Sequence, residues 1–377
     1  MIKKMTIFVI ILIFLSPTLF VYAEQNESIP DEYEDALDSI PDDIADLLPD
    51  EIFSLNSTDI ASGAQKIVNW NYIIDYIFDT LGLNVKKIVQ AFGKILSVLV
   101  ICSLLNLLRK SLKNPAIDGM VGLVGRIAIV CSLMELSKEP ISRGIMLLNQ
   151  LKIFINAISP TITAMYAMGG NVSTALVQNY GLIVFLSVLE NICIISLEFI
   201  IGICMALTLS SAFVKDVNLL ALSNGIKKTF AFLWGFVAII FTTVISAQSL
   251  LSSKADNLTS KTAKMLVGHI IPLAGGTVGE SLKTVGASIE YLRSNVGIIF
   301  IIILVLTILP TIISISLYRL TFIISHSLAG ILGCDGEGRI IFEISSIFGY
   351  LLAIISVCSV ILLFLITIFA KCSSPLS

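Results

Sequence analysis

The sequence predicts an all-α, polytopic α-helical membrane protein with six to eight spans. It also predicts a short acidic extracytoplasmic N-terminal segment and a two-fold internal repeat. Three observations carry this. First, 56% of the 377 residues are hydrophobic and 14% are charged, with a mean hydropathy of +0.95. A soluble chain of that length still needs a polar skin. Second, several apolar runs approach or exceed the roughly 20 residues that cross a bilayer as a helix. Third, two Gly-Gly pairs sit in segments of matching pattern, "ISPTITAMYAMGGNVSTAL" at 158–176 and "IIPLAGGTVGESL" at 270–282.

At the N-terminus, "MIKK" is a basic leader, "MTIFVIILIFLSPTLF" an apolar core, and "VYA" ends in a small residue. This is the pattern of a secretory signal peptide over 1–23, cleaved after Ala23, so the next segment begins outside the cytoplasm. Of the chain's 27 acidic residues, 13 fall between Glu24 and Gln65, a stretch without Lys or Arg. Within the acidic segment 24–64, "SIPDE", "SIPDD" and "LPDE" place proline and acids where short helices would start. Such a segment is a solvated tail or a surface for a basic partner.

Residues 65–90 read as an interfacial amphipathic helix. Ile67, Trp70, Ile73, Ile74, Ile77 and Leu81 fall at helical spacing, with Trp70 and Tyr72 suited to the headgroup region and Gly82 as a stop. The first membrane spans occupy 91–157. A run at 91–108 is followed by Arg109, Lys110 and Lys113, a basic cluster that marks a cytoplasmic loop. A second run, 117–134, carries Arg126; a third, 145–168, is interrupted by Asn149, Gln150, Lys152 and Pro160. The stretch 180–213 is one long helix or two short ones turning near Glu190 and Asn191. Then come 229–251, a basic linker at 253–269, and runs at 296–317, 320–332 and 344–370. A tail, 369–377, is placed in the cytoplasm by Lys371. Lys215, Lys227 and Lys228 fit this alternation poorly.

The repeat is read as 158–252 and 270–368. Pro160 with Gly169 and Gly170 corresponds to Pro272 with Gly275, Gly276 and Gly279. Asn179 and Gly181 precede one long apolar run as Asn295 and Gly297 precede the other. Proline removes a backbone donor and paired glycines free the chain to bend, so these residues are candidate hinges or helix breaks. Small residues four apart also let helices approach closely. A broken helix at matching places in two repeats is a pointer to a pathway or binding site in transporters. From 278 to 292 the apolar residues step by four and three, predicting an amphipathic helix.

Charges inside apolar runs are costly unless paired or wetted. Arg126, Glu190 and Glu198 lie deepest and are the candidates for a polar path through the membrane. Lys94 and Glu343, nearer run ends, read as interhelical pairs or snorkelling side chains. No GxxxxGK[ST] or HExxH is present, and the histidines are His269 and His326. No catalytic residue, metal site or cofactor is expected, and no nucleic-acid partner. "GCDGEG" at 333–338 follows no strand and reads as a turn between spans.

The order of signal peptide, acidic segment, interfacial helix and polytopic body resembles the stage III sporulation protein AE family. The densest resemblance is "IPLAGGTVGESLKTVGASIEYLRSNVGIIFIIILVLTILPTIISISLYRL" at 271–320, followed by "ISPTITAMYAMGGNVSTALVQ". The resemblance implies a non-enzymatic membrane subunit of the channel or export apparatus joining mother cell and forespore, needed for late forespore gene expression. It further implies an outer forespore membrane location and, as partners, the complex's other membrane subunits, ring-forming proteins and an ATPase. From the residues alone, an autonomous secondary transporter built on the two repeats is the alternative.

Overall fold

The computed structural model describes residues 70–112, 115–168, 172–213, 218–270 and 275–371. The signal peptide and acidic segment expected over 1–64 lie outside these residues. The described chain is helical throughout: α1 (Trp70–Leu112), α2 (Pro115–Met168), α3 (Val172–Val188), a π-helical turn (Leu189–Ile194), α4 (Ile195–Ser210), α5 (Leu219–Ile270), α6 (Gly275–Ile331) and α7 (Asp335–Lys371). Six of these stretches are long and apolar enough to cross a membrane: 84–107, 122–168, 192–210, 219–244, 296–331 and 335–370.

The helices are longer and fewer than the runs suggested. α1 continues through Gly82, so the expected interfacial helix is not a separate element. A lone glycine costs about 1 kcal/mol in a helix, too little to stop one with favourable residues on both sides. α2 passes through Pro140 and Pro160 and joins the two spans expected over 117–134 and 145–168. The polar stretch between them is helical because its charges find partners on neighbours. Glu139 Oε1 accepts from Lys87 Nζ of α1 at 2.7 Å and from Arg143 at 2.8 Å. Its Oε2 accepts from the Tyr318 hydroxyl of α6 at 3.2 Å. Arg143 also reaches Asn84 and Ser314, each at 3.3 Å.

The basic linker expected at 253–269 is part of α5. The amphipathic segment and the runs 296–317 and 320–332 are one 57-residue helix, α6, through Pro310. At 1.5 Å per residue it measures about 85 Å, well beyond the ~30 Å of bilayer hydrocarbon.

α6 and α7 form the most extensively packed pair. Their hairpin is antiparallel, with His326 beside Gly338 at the turn and Gly297 against Ala370 at the far end. The turn is a Schellman motif. Gly333 takes φ +69°, Cys334 N–H donates to the Ala329 carbonyl at 2.8 Å, and Gly333 N–H to Gly330 at 3.2 Å. Asp335 and Glu337 in the first turn of α7 suit its positive end. α1 holds the turn in place: Ser103 donates to the Leu332 carbonyl at 2.9 Å, and Asn106 to that of Gly333 at 3.5 Å. Burial, and next the Glu337 carboxylate, push the Cys334 thiol above its ordinary value, so it packs protonated.

α2 runs parallel to α7, meeting it at Gly144–Leu351 and Tyr166–Phe369. α4 runs antiparallel to α7, with Cys193 of the π turn against Cys358, Sγ to Sγ 2.9 Å. The π turn falls where the sequence suggested a reversal at Glu190 and Asn191, but the chain does not reverse. Leu189, Cys193, Leu197 and Ile201 are all buried, stepping by four. A row that steps by four drifts off the face of a 3.6-residue helix, and one wider turn restores the phase.

Candidate functional site: a buried ion pair among three helices

In the packed interior of α4, α5 and α7, Lys227 of α5 donates to Glu343 Oε2 of α7 at 3.0 Å, and their side chains are 6% and 9% exposed. Asn224, one turn before Lys227, donates to the other oxygen, Oε1, at 2.7 Å. Lys227 also donates to the Ser346 hydroxyl at 2.9 Å. Both carboxylate oxygens therefore carry a donor, and the ammonium has two partners. That satisfaction is what makes a charge tolerable inside an apolar bundle.

The local sequence explains the arrangement. Asn224 and Lys227 are three apart on α5, and Glu343, Ser346 and Tyr350 step by three and four on α7. Each set occupies one helix face. Opposite them, Cys204 of α4 is fully buried, donates to the Ser223 carbonyl of α5 at 3.7 Å, and lies within electrostatic reach of both Lys227 and Glu343.

The expected intramembrane charges do not gather here. Arg126 of α2 instead serves the end of α4. Its Nη1 donates to the Ala212 carbonyl at 2.8 Å, and its Nε to Gly122 at 3.0 Å. α4 ends in tightened turns, Ala212 N–H to Leu209 and Phe213 N–H to Ser210. A cation on the remaining carbonyl complements the negative helix end. Arg126→Met keeps the stem and removes both bonds. It is expected to lower stability by about 1–3 kcal/mol and to speed amide hydrogen exchange at 210–213 without affecting α7.

Glu198 is exposed in the first turn of α4. Glu190 lies in the π turn, and its side chain is outside the described set. Glu343, read as paired or snorkelling, is paired. Lys94 is exposed and meets Glu135 at 2.8 Å. Lys227, the misfit in the charge alternation, is buried against a carboxylate, so it does not report which side of the membrane its helix end faces. The signal available in the sequence was the spacing of polar residues on one face of each helix.

The candidate hinges divide. Gly169 and Gly170 fall between α2 and α3, and Pro272 between α5 and α6, all outside the described residues. Gly275 and Gly276 open α6, and Gly279 follows inside it. Pro160, Asn179 and Gly181 lie within helices, as do Asn295 and Gly297, so the expectation of a break at these five is corrected. Proline in mid-helix removes one donor without forcing an end, and the Ser159 hydroxyl ties this turn to Asn179 of α3 at 3.2 Å. Gly297 serves close approach instead. A β-carbon there would lie 2.5 Å from Ala370 Cβ and 3.1 Å from its Cα.

Among the described residues, no group of three or more His, Cys, Asp or Glu is placed to hold a metal ion. No solved structure matches the chain. It is similar to the stage III sporulation protein AE of Bacillus subtilis (strain 168), 24% identical over 223 residues. The match covers 58% of this chain and 55% of that protein, so the chain spans about half the length of the curated relative. The family model for stage III sporulation protein AE matches residues 54–373. That range takes in the whole helical bundle and its buried ion pair, and this polytopic membrane chain belongs to the stage III sporulation protein AE family.

Proposed function

We propose that the chain is a non-enzymatic membrane subunit of a trans-envelope channel or export apparatus that joins mother cell and forespore and is needed for late forespore gene expression. The observation that supports this most is the family match across 54–373, combined with the acidic segment ahead of it. A transport cycle has no need of 13 acids on an exported tail; an assembly can use them to meet a basic partner. In this reading the protein lies in the outer forespore membrane with its N-terminus outside the cytoplasm. Its neighbours are the other membrane, ring-forming and ATPase subunits of the complex. The Gly169–Gly170 and Gly275–Gly276 pairs act as equivalent hinges of two repeats.

The test is affinity purification of the tagged chain from sporulating cells, with and without residues 24–64. The full chain should bring down ring-forming and ATPase subunits. The truncated chain should insert in the membrane yet lose the ring-forming ones. A truncated chain that retains every partner would remove the role of the acidic segment. Solute movement by the purified chain alone in liposomes would favour the transporter reading.

A further inference from the structure

We propose that the outer face of α1 and α2 is one wall of a water-filled path through the membrane, and that its fixed charge makes the path favour anions. This rests on the reading of the chain as a channel subunit and adds the class of solute that passes. On α1, Lys87, Gln90, Lys94 and Ser97 are exposed and step by three and four, so they share a helix face. On α2, Glu135, Ser142, Asn149 and Asn156 are exposed at every seventh residue, close to two full turns. Met146 and Ile153 border this second row. From Glu135 to Asn156 is about 32 Å along the axis, close to the ~30 Å of bilayer hydrocarbon. Ion pairs join the two rows, Lys94 to Glu135 at 2.8 Å and Lys87 to Glu139 at 2.7 Å.

The rows lie at mid-depth. Arg143, next to Ser142, meets Ser314 of α6 at 3.3 Å. Ser314 is 18 residues from Val296 and 17 from Ile331, the ends of the apolar stretch of α6. That stretch is about 54 Å long, and any ~30 Å layer lying within it contains its midpoint. One turn away Glu139 meets Tyr318, and further along Phe154 packs edge-on against Phe300 with ring centres 6.1 Å apart. At the same depth α5 presents a different surface. It passes Glu343 and Ser346 of α7 at Lys227, while α2 passes Leu351 at Gly144. Just beyond Lys227, α5 exposes Phe232, Phe236 and Ile239, as a lipid-facing helix does.

Lipid does not suit the α1–α2 face. The side chains of Lys94 and Glu135 are 54% and 67% exposed, and in hydrocarbon each charge would lose its water. A neighbouring helix suits it little better. Close packing in membranes uses small residues, whereas this face carries mostly long side chains whose ion pairs are made within the chain. Charges at membrane depth are tolerated where they border an aqueous space. The balance of charge is uneven: Lys86, Lys87, Lys94, Lys138 and Arg143 stand against Glu135 and Glu139. Lysine and arginine along a pore select anions, and low-dielectric surroundings strengthen their field. Carboxylates and phosphates share the chemistry required. Closing the path takes further subunits of the apparatus.

The test uses membrane fragments of sporulating cells, open to both sides, that carry the full chain with Cys131 and Cys372 replaced by serine. Single cysteines are introduced as Gln90→Cys, Ser97→Cys, Ser142→Cys and Asn149→Cys, with Phe232→Cys and Ile239→Cys as controls. Each is treated with an anionic and a cationic methanethiosulfonate, and rates are divided by those of a free thiol in solution. The four wall positions should react and the two controls should not. The anionic reagent should be favoured about tenfold or more, and Lys94→Gln with Lys138→Gln should bring that ratio towards one. Silent wall positions, or equal rates for the two reagents, would overturn the proposal. Both readings are taken with every native charge in place, so they stand even if the lysine variant does not fold. Co-purification of partner subunits from the same membranes is scored separately. Silent cysteines in a chain that retains its partners reject the path and leave the assembly standing; reactive ones in a chain without partners keep the wet face and reject the assembly.

Discussion

Glu343→Gln is expected to be among the most destabilising single substitutions in the bundle. It leaves the Lys227 ammonium, 5% exposed as a residue, beside a neutral amide in place of its counter-ion. Removing one partner of a buried pair costs about 3–5 kcal/mol. In a chain of this size that moves a thermal midpoint by on the order of 10 °C. Lys227→Met should also destabilise the bundle, because it removes the counter-ion of a buried carboxylate. The double variant, Lys227→Met with Glu343→Gln, should be more stable than Glu343→Gln alone, since neither charge is then orphaned. A thiol-reactive fluorophore can follow unfolding, because Cys102, Cys193, Cys204, Cys334 and Cys358 are buried free thiols. The exposed Cys131, together with Cys372, is first replaced by serine to remove background. A double variant no better than Glu343→Gln would mean that the pair is not energetically coupled.

Gly297→Leu should disrupt the α6–α7 hairpin, and Gly202→Leu should not. At Gly297 the added β-carbon meets Ala370 Cβ at 2.5 Å and the backbone Cα at 3.1 Å. Backbone cannot swing aside as a side-chain tip can, so the helices must separate. Overpacking of this kind costs about 1–3 kcal/mol, and more where the backbone has to move. Gly202 is exposed with nothing within 4 Å of its β-carbon position. The same unfolding assay distinguishes the two, and yield of folded protein gives a second measure. Gly297→Ala in combination with Ala370→Gly should recover much of the loss, because it moves one methyl group across the interface without adding volume. Equal behaviour of leucine at 297 and 202 would show that the close approach carries no weight.

The helical membrane class was legible in the sequence because it depends on averages. Apolar content and run length alone decide that the chain must satisfy its backbone within helices. The start of the turn expected at 333–338 was legible for a local reason, since Gly333 adopts a positive φ that glycine enters without cost, whereas from Asp335 onward the chain is already helical. The family was legible in the order of segments and in the stretch 271–320. Element boundaries were less so, since a charged stretch such as 135–143 looks like a loop until its partners are known. Glu139 is helical there because Lys87 and Tyr318 arrive from α1 and α6, 52 and 179 residues away in sequence.

What composition and local pattern determined by themselves was the class of fold, the turn before α7 and the absence of nucleotide-binding and zincin motifs. Only the tertiary structure decided which charges matter. Arg126 looked like part of a polar path and proved to serve the end of a helix; Lys227 looked like a topology marker and proved to be half of a buried ion pair. Hydropathy is a sum over neighbours in sequence, and it measures the cost of placing a charge in an apolar run. Whether that cost is met depends on a partner 116 residues away in the chain and 3.0 Å away in space. Distances of that kind are set by packing.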